Sequence, residues 1–263
     1  MACVFDARHF LKAENMMKKA VSCFIAVLLL LLCSCEKAKE SVLTTTVTEA
    51  TTAGLPPADA DDSEKYPDPI DFSEYMSVNR EVYAFIRIPG TGINYPIVQS
   101  GSSDDYYLRR DWKGEKNYRG CIYTQSANAK EFTDPVTVIY GHNTDKGDMF
   151  SELLKFKDSA FFNENDIFYI FIPGHILIYK IISAHTFDDR HILNSYDFTS
   201  PEALADFQRI ILNPTALEKN VRQGIELNGQ SEIAVLSTCA QPVSGGNLRY
   251  LVNGVLVKDV LTV

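Results

Sequence analysis

The chain has 263 residues, a formal net charge of −9 and a hydrophobic fraction of 46%. This acidity argues against nucleic acid or an anionic lipid surface as the main partner, although ordinary solubility explains it equally well. The first 65 residues or so have a non-globular composition, and the remainder is long enough for one domain that buries a core without disulfides.

Residues 1–35 have the composition of a secretory signal or a membrane anchor. Two lysines precede an apolar run over 20–32, which is shorter than the roughly 20 apolar residues of a full membrane span. A Leu-Cys-Ser-Cys sequence at 32–35 resembles a lipobox and predicts a lipid on Cys35, with an uncleaved N-terminal anchor as the alternative. Both alternatives place the rest of the chain on the extracytoplasmic face of the cell membrane.

The segment 36–65 is rich in Thr, Ala and acidic residues, a composition that cannot bury a core and predicts a flexible linker. One globular domain is therefore expected over 66–263. Four of the six cysteines lie in or near the N-terminal apolar run, so no disulfide framework is implied. Of the other two, Cys121 is interpreted as a buried core thiol, which leaves Cys239.

The first half of the domain predicts one helix followed by strands. Apolar residues at helical spacing predict a helix over 72–83. Alternation and apolar runs, separated by Pro and Gly, then predict four strands. These strands are 84–88, 94–98, 120–124 and 136–140. Apolar residues between 149 and 154 recur at helical spacing and predict a short helix.

The second half predicts a hairpin, a helix and two final strands. Pro173-Gly174 indicates a turn between two strand-like runs. A helix with proline in its first turn is predicted over 201–212. The predicted strands of this half are 166–172, 175–187, 232–238 and 248–258. Many strands with a few helices indicate a mainly β fold of the α+β class, arranged as a barrel.

Three reactive side chains lie beside the ends of predicted strands. Cys239 follows a buried run at 233–236, His142 follows the strand at 136–140, and Arg249 begins the last strand. A cysteine reacts as its thiolate and needs a base or a positive charge nearby. The pattern therefore predicts Cys239 as nucleophile, His142 as its proton partner and Arg249 as an oxyanion donor.

Metal and cofactor chemistry is not indicated. No pair of histidines has the spacing of metal ligands, so no catalytic metal and no cofactor are expected. Asp145 and Asp148 do not follow the spacing of a calcium loop and are interpreted as a solvated loop.

The motifs resemble the sortase family of cysteine transpeptidases, and class B in particular. Tyr-Gly-His-Asn at 140–143, Leu-Ser-Thr-Cys at 236–239 and Arg249 occur in the family's order, and the similarity extends over about residues 70–258. The resemblance implies an eight-stranded β-barrel with an N-terminal helical extension, and makes 66–263 a catalytic domain. The substrate-binding residues that it implies are Ser237, Thr238, Leu236 and Asn143.

The activity that the resemblance implies is a two-step transpeptidation. Cys239 cleaves the C-terminal sorting signal of a secreted protein after a threonine and forms a thioacyl enzyme. An amine of a peptidoglycan precursor or cross-bridge then resolves it, with His142 as acid and base and Arg249 stabilising each tetrahedral intermediate. A specificity loop is expected between about 187 and 230. Some class B members have acidic residues after the cysteine, whereas this chain has Ala240 and Gln241, so no orienting carboxylate is assigned.

Three alternatives remain open from the sequence. The acceptor amine could be a lysine of another protein subunit, which would make the enzyme a pilin polymerase. The thioester could instead pass to water, as in a cysteine peptidase or amidase. A surface lipoprotein that binds a ligand in the mouth of its barrel is the non-enzymatic alternative.

Overall fold

The computed structural model describes residues 54–61, 64–241 and 247–263. The predicted signal segment 1–35, with the lipidation site predicted at Cys35, lies outside these ranges, and so does most of the predicted linker. None of the helices in the described ranges has the length and apolarity that a membrane span requires.

Nine strands form one sheet in the order β5-β1-β2-β3-β4-β8-β9-β6-β7. The strands are β1 Val82–Arg87, β2 Asn94–Gln99, β3 Ile122–Thr124, β4 Val136–Tyr140, β5 Ile167–Ile172, β6 His175–Asp188, β7 Lys219–Val221, β8 Ile233–Cys239 and β9 Leu248–Leu261. Because β5 also pairs with β6, eight strands close on themselves, and β7 extends β6 outside the barrel. The predicted eight-stranded barrel is confirmed.

The helices lie between the strands and at the N-terminal side of the barrel. The α-helices are α1 Phe72–Val78, α2 Ser159–Glu164, α3 Ile192–Ser195 and α4 Pro201–Leu212, and the 3₁₀-helices are Tyr106–Arg109 and Ser151–Lys157. Helix α1 is the predicted N-terminal extension, but it ends five residues before the predicted end at 83. Asn79 leaves the helical conformation there, and its side-chain amide donates to the Trp112 carbonyl at 2.6 Å.

Helix α4 begins and ends where it was predicted. Two independent sequence signals mark its start. The Ser200 side chain accepts a hydrogen bond from the Ala203 N–H, and Pro201 occupies the first turn, where its missing N–H costs nothing. By contrast, the helix predicted after the His142 loop is the 3₁₀-helix Ser151–Lys157. The short elements α2, α3 and β7 were not predicted, because so few residues show no periodicity.

Strands β4 and β8 lie side by side and are buried on both faces. Ala234 and Leu236 of β8 face the barrel interior, whereas Ile233 and Val235 pack against the outer layer that contains α4. Burial on both faces explains why these strands read as nearly continuous apolar runs. The two strands are parallel, so both of their C-terminal ends emerge at the same edge of the barrel.

Residues 54–61 of the predicted linker pack against the barrel. Leu55 and Ala58 contact a buried cluster that includes Val260 of β9, and the Tyr169 hydroxyl donates to the Pro56 carbonyl at 3.1 Å. Tyr66 then forms a parallel bridge with Thr262. The packed part of the chain therefore begins at least twelve residues before the predicted boundary at 66.

Candidate active site

Three neighbouring strands bring the predicted catalytic residues to one edge of the barrel. Tyr140 of β4 is opposite Ser237 of β8, so His142 and Cys239 each lie two residues beyond a paired position. The Gly141 N–H continues this pairing and donates to the Ser237 carbonyl at 3.1 Å. In the antiparallel β8–β9 pair, Arg249 is the direct partner of Cys239.

The same edge contains a cleft with a volume of about 200 Å3. Cys239, His142 and Arg249 all line it, and the segment after β6 forms another of its walls. Phe187 near the end of β6 and residues 189–192 after it form this wall, and all of them fall within the predicted specificity loop. A nucleophile, an imidazole and a guanidinium thus share one concave site.

A positive charge lies next to the Cys239 sulfur. The Arg249 guanidinium donates from Nη1 to Cys239 Sγ at 3.4 Å, and Cys239 is half-buried rather than enclosed. A nearby cation stabilises a thiolate relative to the neutral thiol. The arrangement places a positively charged planar donor against the Cys239 sulfur at the edge of the cleft.

Asn143 holds the backbone of the nucleophile. Its side-chain amide donates from Nδ2 to the Cys239 carbonyl at 3.0 Å, and only 7% of the residue is exposed. We predicted a contact between Asn143 and the substrate. In this structure its polar side chain is instead committed to positioning Cys239 across the β4–β8 pair.

The backbone carbonyl of Leu108 orients the His142 ring. His142 Nε2 lies 2.8 Å from this oxygen, and because a carbonyl only accepts, Nε2 must carry the hydrogen. Gly120 allows the close approach of these groups. It has a positive φ of 59°, and an added Cβ would lie 2.7 Å from the Leu108 oxygen and 3.0 Å from His142 Cδ2.

The loop that follows His142 is braced by charged and backbone contacts. The Phe150 N–H donates to the His142 carbonyl at 3.0 Å. Asp148, which we interpreted as part of a solvated loop, accepts hydrogen bonds from Arg119 and from the Thr144 hydroxyl. The sequence interpretation was therefore incomplete, because the partner Arg119 lies 29 residues away in the sequence.

Ser237 and Thr238 line the cleft, as the resemblance implied for substrate-binding residues. Thr238 Oγ1 is buried and has no hydrogen-bond partner within the described ranges, and only 2% of the residue is exposed. Leu236 requires a correction, because it has 0% exposure and belongs to the interior cluster. A side chain without accessible surface supports the site by packing and does not contact the substrate directly.

Sequence reasoning missed two cleft residues. Tyr140 stacks on Tyr123 at 5.4 Å between ring centroids, and its buried hydroxyl has no partner among the described residues. Burial raises the pKa of Tyr140, so the hydroxyl remains a neutral donor. His191 also lines the cleft, where its Nδ1 accepts from the Asn194 N–H at 3.2 Å and caps α3.

Metal-ligating side chains do not converge in the described ranges. No group of three or more His, Cys, Asp or Glu residues there has an arrangement that could hold a metal ion.

The sequence model of the Sortase domain family matches residues 86–257. The chain belongs to the sortase family. Sortases are cysteine transpeptidases, so the predicted enzyme class is confirmed, and the non-enzymatic alternative of a ligand-binding lipoprotein no longer holds.

Relatives of known identity place this sortase near class B. Sortase B of Listeria monocytogenes is 29% identical over 188 residues, which is 70% of this chain and 73% of that protein. The crystal structure of sortase B from Clostridium perfringens superposes with a TM-score of 0.61 at 27% identity, covering 72% of this chain and 100% of the other. A class B sortase from Streptococcus pyogenes, involved in pilus biogenesis, has a TM-score of 0.59 at 26% identity and covers 71% and 98%.

Proposed function

We propose that this sortase cleaves a C-terminal sorting signal after a threonine and joins the shortened protein to a peptidoglycan amine. The substrates are secreted proteins that carry the signal, and the acceptor belongs to a peptidoglycan precursor or a cross-bridge. As a sortase the enzyme is associated with the cell envelope. We further propose attachment to the extracytoplasmic face of the membrane through the segment 1–35, by a lipid on Cys35 or by an uncleaved anchor.

In the first step, the Cys239 thiolate attacks the threonine carbonyl carbon. A C–S bond forms, and the carbonyl oxygen becomes an oxyanion that the Arg249 guanidinium stabilises by hydrogen bonding. The C–N bond then breaks, and His142 protonates the departing amine. Because Nε2 of His142 already donates to the Leu108 carbonyl, Nδ1 is the nitrogen that exchanges protons with the substrate.

In the second step, the acceptor amine attacks the thioester carbonyl. A C–N bond forms, the C–S bond breaks, and the Cys239 thiolate is restored. His142 Nδ1 takes up the proton that the amine loses. The enzyme thus returns to its starting protonation state without any external oxidant or hydrolysis.

The observation that carries this proposal is the 3.4 Å contact between Arg249 Nη1 and Cys239 Sγ inside a cleft that also contains His142. If Cys239 were only a structural residue, a hydrogen bond from Arg249 to its sulfur at the rim of a cleft would not be expected.

The test is mass spectrometry of the full-length chain incubated with a panel of sorting-signal peptides. Wild type and Cys239→Ala are compared, with and without glycine or diaminopimelate as the amine. We expect cleavage after threonine, an acyl adduct on Cys239 of wild type alone, and an amide product only when an amine is present.

Two outcomes would redirect the proposal. Adduct formation followed only by hydrolysis, with every amine, would favour the peptidase or amidase alternative. Efficient transfer to a lysine-containing pilin segment, but not to wall-type amines, would favour a pilin polymerase, the type of process in which the relative from Streptococcus pyogenes is involved.

A further inference from the structure

A second cavity, of about 520 Å3, lies beside the catalytic cleft. We call it the basic pocket. Its lining includes Asp105, Leu108, Arg109, Arg110, Lys116 and Tyr118. Asp105 and Leu108 also line the catalytic cleft, so the two cavities share a wall.

The cations of the basic pocket are not neutralised by the protein. Arg109, Arg110 and Lys116 form no ion pair with a carboxylate in the part of the chain that the structure describes. Asp105 is the single acidic residue in the described lining. Three unpaired cations in a chain of net charge −9 create a local field that attracts an anion.

A larger cavity on the other side of Phe187, of about 750 Å3, provides a contrast. There Lys157 pairs with Glu218 at 2.8 Å, and Arg190 pairs with Asp188 at 2.5 Å. Its charges are therefore satisfied within the protein. Volume alone would favour that cavity, but the unpaired charge favours the basic pocket as the binding site for an ion.

The basic pocket is held in shape by a tight turn. The Asn117 N–H donates to the Arg109 carbonyl at 3.0 Å. The Arg110 guanidinium donates to the Gly114 carbonyl at 2.9 Å and lies 4.6 Å from the Tyr106 ring centroid. Contacts within the protein therefore hold the Arg110 side chain in place, whereas Arg109 and Lys116 are exposed at the rim of the pocket.

The position of the basic pocket relative to His142 suggests its role. Arg109 directly follows Leu108, whose carbonyl accepts the His142 Nε2–H at 2.8 Å. In the proposed second step, His142 must deprotonate the acceptor amine while the acyl group of the first substrate occupies Cys239. An acceptor anchored in the basic pocket would extend over the wall shared with the catalytic cleft, and its amine would meet Nδ1 of His142 inside the cleft.

We propose that the basic pocket binds a carboxylate or phosphate group of the acceptor and thereby delivers its amine to His142. The inference rests on the proposed transpeptidation, because it assigns the second substrate of that reaction. The class of acceptor is an amine that carries an oxyanion several bonds away, since the reacting nitrogen and the pocket are separated by the shared wall.

The experiment compares acidic amines with neutral partners of the same length, using the full-length chain. The pairs are diaminopimelate with its bis-amide, and 6-aminohexyl phosphate with 6-aminohexanol. The variant is Arg109→Glu/Lys116→Glu. Its matched control is Lys65→Glu/Lys130→Glu, which makes the same change in charge at exposed positions outside both cavities.

We expect the ratio of kcat/KM for acidic over neutral amines to fall at least tenfold in the variant, through a higher KM for the acidic amine. The control should retain the wild-type ratio. Raising the ionic strength should lower the ratio in wild type, because exposed charges are screened. A larger effect with diaminopimelate would assign a carboxylate, and a larger effect with the aminohexyl pair would assign a phosphate.

An unchanged ratio in the variant, or an equal fall in the control, would overturn the basic pocket as the acceptor site. Failure of the proposed function is distinguishable, because wild type would then form no acyl adduct with any peptide. A titration of the Cys239→Ala chain with diaminopimelate or 6-aminohexyl phosphate, followed by NMR, tests anion binding without turnover. Binding that is insensitive to Arg109→Glu/Lys116→Glu would also refute the proposal.

Discussion

Cys239 and Cys121 are both free cysteines, but they differ in burial and in the charge of their neighbours. Cys121 is 5% exposed and packs with Val82, Val98 and Tyr107, and burial raises the pKa of its thiol so that it stays protonated. Cys239 lies at a strand end, in a cleft, with a guanidinium 3.4 Å from its sulfur. A cation and solvent access, rather than the presence of a thiol, distinguish the proposed nucleophile.

The two histidines His142 and His185 repeat this contrast. His142 lines the cleft and is oriented by one backbone carbonyl. His185 is 1% exposed and contacts the Asn253 amide at 3.2 Å. Burial, with a smaller contribution from Lys219, lowers the pKa of His185. The interior residues serve the fold, and the residues at the edge are available for proton and acyl transfer.

The largest expected effect is the difference between the two cysteine variants. Cys239→Ala should reduce peptide cleavage by at least about 10⁴-fold, because the attacking atom is removed. Cys121→Ala should retain cleavage activity and lower the free energy of unfolding by roughly 1 kcal/mol, because it leaves a small cavity. Cleavage rates and denaturant melts measure these outcomes. Loss of activity in a folded Cys121→Ala chain would contradict the comparison.

Arg249→Lys should reduce kcat by about 10²-fold with a smaller change in KM. Lysine retains the positive charge but loses the planar pair of donors that can face an oxyanion and the sulfur together. Steady-state kinetics on a sorting-signal peptide measure the effect, with Arg190→Lys in the same cleft as the matched substitution. An Arg249→Lys enzyme with the kcat of wild type would mean that charge alone matters, and equal losses at the two arginines would mean that the effect is not specific to the oxyanion.

Asn143→Ala should reduce kcat/KM about tenfold, since it removes one hydrogen bond worth roughly 1 kcal/mol to the Cys239 carbonyl. Asn143→Asp should be worse, because a carboxylate cannot donate and would repel that carbonyl. Alkylation of Cys239 by iodoacetamide provides a second readout, and its rate should fall in both variants. An effect on KM alone would favour the direct substrate contact that we predicted from the sequence.

The smallest effect concerns pH and stability rather than catalysis. His185 has a lowered pKa when folded, so the unfolded chain binds more protons in mild acid, and stability is lost as the pH falls below about 6.5. We therefore expect His185 to contribute to the loss of stability between pH 7 and pH 5. Thermal melts of His185→Asn should show a weaker pH dependence than those of wild type, and an unchanged dependence would contradict this assignment.

The elements that positioned the active site were predictable because their signals are local. Strand β4 matches its predicted bounds, and β8 lies within one residue of them, since apolar runs buried on both faces are unambiguous. The reactive side chains follow those runs directly in the sequence. Their assembly at one edge required only that β4, β8 and β9 be neighbours.

The parts that could not be predicted involve backbone atoms and distant partners. The hydrogen bond between His142 and the Leu108 carbonyl could not be predicted from residue types, because every residue has a backbone carbonyl. The hydrogen bond from Asn143 to the Cys239 carbonyl was not predicted, because a sequence does not show whether an amide faces substrate or backbone. Residues 54–61 read as a linker because Leu55 and Ala58 are too few to show a period.

The bridge between Tyr66 and Thr262 determines where the N-terminal part of the chain joins the barrel, relative to the catalytic cleft. Strand β9 runs from Leu248 to Leu261, next to Thr262, and the twelve residues from Arg249 to Leu261 span roughly 40 Å at about 3.3 Å per residue. Residues 55–58 contact the same far end of the barrel. The chain therefore enters the barrel at the pole opposite Cys239, and the barrel acts as a rigid spacer. A substrate attached close to the entry point of the chain would have to reach around this spacer, which favours substrates that extend outward by about the same distance.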